Sequence, residues 1–258
     1  MKQSGYFSVA RYVAWRNIRV VIRTPALLLP TVLFPLFFLL AFAGALSAMS
    51  KVLGGQNYTA FQFVFALLQA AGFTGAMGGF AMAEDFESGF MPRLMITAPN
   101  RTAILTGYTI GILGRGVIAA AALTGMGFVL GMHIDGSALD IVALFALAFL
   151  LTLATTLWSL GCALHIRSFK AAPFMALPIF LLLFLTPVFV ELDQLTGWLH
   201  TVASKNPFTP VVEAGRGFIS GHHTDVALSF GILGGITVFV ILWVWHGVRR
   251  AEAAGGVA

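Results

Sequence analysis

One polar segment stands out in a sequence that is otherwise poor in charge. It covers residues 83–101 and lies between two long apolar stretches. Acids come first and bases follow, and such charges on a surface can form ion pairs with a second protein. The segment therefore predicts a docking surface rather than a reaction centre. Its charged members are Glu84, Asp85, Glu87, Arg93 and Arg101.

The residue types that enzymes use for catalysis are scattered here rather than grouped. No Gly-x-x-x-x-Gly-Lys-Ser/Thr motif for ATP occurs, and no pattern resembles a hydrolase triad. His222 and His223 are adjacent, but they lack a third ligand at metal-site spacing, and Cys162 is the only cysteine. We therefore predict no metal site and no catalytic site in this chain, and we expect its driving chemistry on another chain.

The composition is that of a membrane protein. Hydrophobic residues make up 59% of the 258 residues and charged residues only 10%, against roughly a quarter in ordinary globular domains. The mean hydropathy is +0.91, which one soluble core cannot accommodate. The net charge of +5 does not indicate nucleic acid binding, because the bases form no basic face interleaved with aromatic residues.

Apolar stretches long enough to cross a bilayer predict an all-α integral membrane protein with six transmembrane helices in a single domain, residues 1–258. With the N-terminus placed in the cytoplasm, eleven of the 15 Lys and Arg residues lie on the cytoplasmic side and three outside, which predicts that both termini are cytoplasmic. Prolines predict bends in the first stretch and a break in the fifth. The stretches are 26–49, 59–82, 103–131, 140–164, 172–190 and 226–248.

Two amphipathic segments flank these stretches. Residues 6–23 predict an interfacial helix that contacts membrane lipids, although an ordinary basic flank would have a similar composition. Its key residues are Trp15, Arg16, Arg19 and Arg23. Residues 191–225 predict two short external helices joined at Asn206-Pro207, which dip into the outer leaflet or cover an exit. Trp198 and Arg216 belong to this segment.

Arg115 is the one charge well inside a predicted span, roughly 18 Å along a helix that starts near Ala103. A charge at that depth usually faces a bundle interior or water, which would give Arg115 a role in a pathway. Alternatively, the start of this long segment lies along the interface and Arg115 snorkels to headgroups. An apolar route could be lined by phenylalanines, although lipid contact is the other reading for Phe34, Phe38, Phe65 and Phe184.

Two motifs resemble one known family. Residues 86–94, Phe-Glu-Ser-Gly-Phe-Met-Pro-Arg-Leu, followed by Ile-Thr-Ala-Pro-Asn-Arg at 96–101, resemble the cytoplasmic loop after the second span of type-2 ABC exporter permeases. The stretch from Trp198 through Asn206-Pro207 to Gly221 resembles the segment before their last span. Within the family, the chain looks most like the daunorubicin-type drug and lipid exporter permeases.

The resemblance implies a transport subunit without enzymatic activity, located in the cytoplasmic membrane. It implies docking of two copies of an ABC ATP-binding subunit, which would hold ATP and Mg²⁺, and pairing with a second permease copy or a paralogue. A coupling helix around Glu87-Ser88-Gly89 would sit in a groove of the ATPase, with Pro92 shifting its start. The residues implied in this coupling are Glu84, Asp85, Glu87, Ser88, Gly89, Phe90, Arg93, Leu94, Pro99 and Arg101.

The function expected from this resemblance is ATP-driven export of an amphipathic, drug-like or lipid-like substrate. One alternative is an ion-coupled secondary carrier or channel that works without an ATPase and uses Arg115. Its weakness is the absence of acids within the predicted spans. Another alternative is a membrane scaffold that transports nothing.

Overall fold

The computed structural model describes residues 5–23, 29–46, 57–97 and 101–254, and these residues form helices without any strand. Two short 3₁₀ helices, Phe169–Ala171 and Leu192–Gln194, accompany the α-helices. The α-helices are α1 Tyr6–Arg23, α2 Leu29–Leu46, α3 Tyr58–Glu87, α4 Phe90–Thr97, α5 Arg101–Val129, α6 Ala138–Ile166, α7 Ala172–Phe184, α8 Gly197–Lys205, α9 Thr209–Ser220 and α10 Val226–Ala254.

Among the described residues, four helices are long and apolar enough to cross a membrane: α3, α5, α6 and α10. They correspond to the second, third, fourth and sixth predicted stretches. The first and fifth stretches are represented by α2 and α7, which are apolar but shorter and which contain Pro35 and Pro178. The α7 helix ends at Phe184, shortly before Pro187, so the fifth stretch is helical only in its first part. Helix length by itself thus supports four of the six predicted spans.

Helix α3 forms the centre of the molecule and packs against α2, α5, α6, α7 and α9. Its glycines allow α6 to approach closely. A Cβ atom on Gly79 would lie 2.6 Å from the carbonyl oxygen of Ser159, and one on Gly75 would lie 2.7 Å from that of Thr152. The approach is fixed by Ser159, whose hydroxyl donates to the Gly75 carbonyl at 2.7 Å and accepts from the Gly79 amide at 3.1 Å. Small residues four apart therefore join α3 to α6.

The two ends of the bundle are formed by different elements, and we name each end after an arginine that lies there. At the Arg16 end lie α1, α4 and the turn between α6 and α7. At the Arg216 end, Asn57 donates to the Gly131 carbonyl at 3.0 Å, and α9 accepts hydrogen bonds from the α5–α6 loop through the Ile219 carbonyl. Helices α8 and α9 meet at Asn206-Pro207, in agreement with the two short helices predicted for residues 191–225.

Helix α1 spans the predicted residues 6–23 and packs along the first half of α5. Contact is close because α5 carries Gly107 and Gly111 on this face: Cβ atoms there would lie 2.6 Å from Val13 and 2.7 Å from Asn17. The opposite face of α1 is exposed and includes the aromatic residues Phe7, Tyr12 and Trp15. The helix thus has one face for the bundle and one for its surroundings.

Candidate functional site

An ion pair joins three helices at the Arg16 end. Asp85 lies near the end of α3, and its carboxylate accepts two hydrogen bonds from the Arg16 guanidinium of α1, each 2.7 Å long. The hydroxyl of Tyr108 on α5 also donates to Asp85. Such a bidentate pair is stronger and more directional than a contact between point charges. We call these three residues the Arg16 junction.

Helix α4 contacts the same arginine. The guanidinium carbon of Arg16 lies 4.3 Å from the ring centre of Phe90, the first residue of α4, which is a favourable cation–π distance. The pKa of Arg16 is raised above its ordinary value, chiefly by the hydrogen bond to Asp85, so this side chain stays charged. One permanent cation therefore connects α1, α3, α4 and α5.

A second carboxylate ties the end of α3 to the turn between α6 and α7. Glu87 accepts hydrogen bonds from the Ser168 hydroxyl at 2.6 Å and from the Phe169 amide at 2.8 Å. Its carboxylate therefore holds the start of the 3₁₀ helix at Phe169–Ala171. The last turn of α3 is thus bonded to both neighbouring segments, by Asp85 on one side and by Glu87 on the other.

The predicted docking residues divide into an inner and an outer set. Asp85 is buried and Leu94 and Arg101 are half-buried, whereas Glu84, Ser88, Phe90 and Arg93 are exposed. Glu87 is exposed but bonded within the chain, and Pro99 lies outside the described residues. The expected charged surface is therefore smaller than the sequence indicated, because its central acid neutralises Arg16. Because of that contact Arg16 is only half-exposed, whereas Arg19 and Arg23, the other arginines of the predicted interfacial helix, are exposed.

Residues 87–89, for which the resemblance implied a coupling helix, form the turn between two helices. Helix α3 ends at Glu87, Gly89 adopts a left-handed conformation with φ +73°, and α4 begins at Phe90. Pro92 lies in the first turn of α4, where a missing amide costs no helical hydrogen bond. A short helix therefore begins directly after residues 87–89, where the resemblance implied a coupling helix, and its role in coupling stays a prediction. Ile96 on this helix is 84% exposed.

The four phenylalanines singled out in the sequence come together between α2, α3 and α7. The ring of Phe184 lies 6.2 Å from Phe34, 5.5 Å from Phe38 and 5.8 Å from Phe65, measured between ring centres. Phe73 and Phe180 extend this phenylalanine cluster by stacking on each other at 5.8 Å. Their helical spacing from Phe65 on α3 and from Phe184 on α7 is the sequence pattern that indicates their place in the cluster. Phe34 and Phe180 are exposed at its edge.

Arg115 is directed to α1 and not to the phenylalanine cluster. Its guanidinium donates to the backbone carbonyl of Asn17 at 3.4 Å, and its Nε is buried without a hydrogen-bond partner. Since Asn17 follows Arg16 on α1, Arg115 extends the packing of α1 on α5. The structure therefore separates the two features that the sequence had grouped as a possible pathway.

At the other end, Arg216 is buried against the start of α3. Its guanidinium carbon lies 3.5 Å from the ring centre of Phe61, and its nitrogens donate to Glu213 at 3.2 Å and to the Val188 carbonyl at 3.1 Å. Burial lowers the pKa of Arg216 to about 10, and Glu213 partly opposes that shift. Arg216 thus fixes α9 to α3 and to the chain after α7.

The other residues selected in the external segment differ in exposure. Trp198 on α8 is exposed, whereas Asn206 is buried. The Asn206 amide donates to the Leu182 carbonyl at 2.6 Å, and its oxygen accepts from the Phe208 amide at 2.9 Å. Asn206 therefore anchors the break before Pro207 to α7, which explains why an asparagine is suited to this position.

Comparisons with known proteins give two matches. Residues 9–219 match the sequence model of the family described as ABC-2 type transporter. The chain is also similar to the daunorubicin resistance ABC transporter permease protein DrrB1 of Streptomyces coeruleorubidus. The two are 26% identical over 212 residues, which cover 80% of this chain and 73% of that relative.

Proposed function

The chain belongs to the ABC-2 type transporter family, and from this membership we propose that it is the membrane subunit of an exporter driven by ATP on a separate chain. It is a multi-pass membrane permease, which agrees with its long apolar helices. The similarity to a daunorubicin resistance permease supports export as the direction of transport. Hydrolysis of ATP, together with Mg²⁺, is assigned to the partner.

The proposed docking site for the ATP-binding subunit is α4 with the turn before it. The observation that carries this proposal is the exposure of a large apolar side chain, Ile96, on a short helix between two long ones. A short helix with exposed Phe90, Arg93 and Ile96 suits a groove on a soluble partner. Two such partners would bind the complete transporter, one for each permease subunit.

The Arg16 junction gives this docking site a mechanical connection. A ligand shifts a conformational equilibrium only through contacts that differ between the two states. Because Arg16 contacts Asp85, Tyr108 and Phe90, a displacement of α4 would move α1 and the adjoining ends of α3 and α5 together. Binding of ATP on the partner could then be transmitted to the long helices as a rigid-body movement.

The proposed substrate is an amphipathic, drug-like or lipid-like molecule. The name of the relative, a daunorubicin resistance permease, supports this class. The phenylalanine cluster offers an apolar and aromatic surface on α2 and α7 for such a molecule. We propose that this surface faces a second permease copy or a paralogue and forms the transport route with it.

The proposed topology has six spans and two cytoplasmic termini, with the Arg16 end inside. Helices α2 and α7 would be the short spans, α8 and α9 would enter the membrane from outside, and α1 would lie at the inner interface. Exposed Phe7, Tyr12 and Trp15, with Arg11 and Arg19 close by, support contact between α1 and lipids.

The function is tested by transport with and without the partner. The chain is reconstituted in vesicles with and without an ABC ATP-binding subunit, and uptake of daunorubicin into inside-out vesicles is followed by fluorescence. We expect uptake that requires both ATP and the ATPase. Uptake by the permease alone, driven by an ion gradient, would instead identify a secondary carrier.

A further inference from the structure

A cavity lies between α3, α5 and α6, apart from the Arg16 junction and from the phenylalanine cluster. Its volume is about 560 Å³, which is within the range of pockets that bind small molecules. Helix α3 contributes Ala70 and Ala71 to its wall, and α5 and α6 form the two sides. We call it the lateral cavity.

The depth of the lateral cavity places it in the hydrocarbon core of a bilayer. Its wall runs from Thr124 to Gly116 on α5, which is about 8 to 20 Å from the end of that helix at Val129. On α6 the wall reaches Thr152, about 21 Å from Ala138. These helix ends lie together at the Arg216 end. Because the core of a bilayer is about 30 Å thick, the cavity extends towards the middle of the membrane.

The side chains around the lateral cavity are apolar, with two exceptions that are already bonded. The hydroxyl of Thr124 donates to the Ala120 carbonyl at 2.7 Å, and that of Thr152 donates to the Ala148 carbonyl at 2.9 Å. Both bonds stay within the threonine's own helix, so neither donor is left for a ligand. The wall therefore suits a hydrocarbon group and is unsuited to a charged or hydrogen-bonding headgroup.

The cavity opens sideways towards the surface of the bundle. Val117 and Phe149, which line it, are 62% and 48% exposed, and Ala121, which also lines it, is exposed. The cavity exists because the residues around it are small. Even a Cβ atom added to Gly116 would lie only 3.3 Å from the side chain of Thr152. A thin, flexible chain can pass between α5 and α6 and reach α3. A helix could not, because packed helices need about 8–10 Å between their axes.

From this depth, chemistry and opening we propose that the lateral cavity binds one acyl chain of a membrane phospholipid. An unfilled apolar cavity loses dispersion contacts and stays free of water. At this depth, acyl chains are the molecules in contact with its opening. The site is independent of the exported substrate and of the ATPase.

The experiment uses the full chain in nanodiscs of phosphatidylcholine that carries a photoactivatable diazirine in the middle of one acyl chain. After illumination, the labelled residues are mapped by mass spectrometry. We expect labelling at Val117 and Phe149 to exceed labelling at Val238 of α10, which is 58% exposed at a similar depth but lies outside the cavity. Equal labelling of all three residues would overturn the proposal, since it would indicate ordinary contact with bulk lipid.

A matched pair of variants tests the cavity itself. Ala121→Phe fills its opening, whereas Ala122→Phe adds the same ring to the neighbouring exposed residue, which does not line it. We expect labelling of Phe149 to fall about tenfold in Ala121→Phe, as expected when a pocket loses the space for its ligand, and to persist in Ala122→Phe. Equal labelling in the two variants would overturn the proposal. So would cross-linking of Val117→Cys between two copies, or displacement of the label by daunorubicin.

Discussion

At the scale of single residues, Asp85 illustrates how burial decides the role of a charge. Its position among three acids indicated a surface for a partner, but its carboxylate is buried and bonded to Arg16 and Tyr108. A buried carboxylate needs such partners, because removal from water is costly unless it is compensated. Glu84, one residue earlier, has no such burial and stays on the surface.

The first prediction concerns this pair. Replacing Asp85 by Asn removes the charge that balances Arg16 and weakens two hydrogen bonds, and we expect a loss of about 2 kcal/mol in the free energy of unfolding. The measurement is thermal unfolding of the purified protein in detergent. Glu84→Gln serves as the control and should change stability by less than about 0.5 kcal/mol. Equal stability of the two variants would contradict the structural role of the Arg16 junction.

At the scale of helices, contact depends on where small residues lie. Helices α3 and α6 approach closely because Gly75 and Gly79 leave room for the α6 backbone. Helix α1 uses Gly107 and Gly111 of α5 in the same way. Some other glycines, such as Gly234 on α10, have no neighbouring atom within 4 Å of an added Cβ. Spacing by itself therefore does not distinguish a packing glycine from an unconstrained one.

The second prediction tests this distinction with one substitution in each setting. Gly79→Ala brings a methyl group against the Ser159 backbone, and we expect a loss of about 2 kcal/mol in the free energy of unfolding. Gly234→Ala should be neutral or stabilising by up to about 1 kcal/mol, because alanine favours the helix and meets no neighbour. Thermal unfolding measures both. A Gly79→Ala protein as stable as the unmodified chain would show that α3 and α6 can separate at low cost.

The third prediction concerns α4 as a docking helix. Ile96→Glu puts a charge on its most exposed apolar side chain, and we expect retention of the ATP-binding subunit to fall about tenfold or more, the effect of losing an interface hot spot. Co-purification from membranes measures this retention. Leu139→Glu, at a similarly exposed residue of the Arg216 end, is the control and should retain the partner. Loss of the partner in both variants, or in neither, would argue against docking at α4.

At the scale of the whole molecule, the two ends of the bundle are organised differently. The Arg16 end connects α4 to three other helices through one cation, which suits the transmission of a displacement. The Arg216 end is closed by α9, whose buried side chains pack onto α3 and α6, and by α8, which contacts α9. This asymmetry would suit the proposed exporter, in which force enters at the Arg16 end and substrate leaves at the Arg216 end.

The fourth prediction tests the orientation of these ends. Single cysteines are introduced at Ser88 of the Arg16 end and at Thr224 in the loop after α9 at the Arg216 end, both of which are exposed. In intact cells, a membrane-impermeant maleimide should label Thr224→Cys at once and Ser88→Cys only after permeabilisation. The native Cys162 is buried, so the parent chain provides the unlabelled control. The reverse order of labelling would place α4 outside and exclude docking of a cytoplasmic ATPase.

The sequence by itself determined the class of this protein and most of its helices. Long apolar runs require a membrane, the pattern of residues 6–23 predicts one amphipathic helix, and Asn206-Pro207 divides another segment into two. These are local properties, because length, periodicity and a missing amide act within a few turns of chain. The match of residues 9–219 to the ABC-2 family confirmed the resemblance based on the two short motifs.

Only the tertiary structure decided which side chains meet. Arg16 and Asp85 are 69 residues apart in sequence, and Ser168 lies 81 residues beyond Glu87. The lateral cavity likewise depends on how three helices pack, which no single segment encodes. The physical reason is that burial and pairing of charges depend on neighbours brought together by folding. Asp85 is therefore a structural anchor, although its local sequence resembled a docking surface.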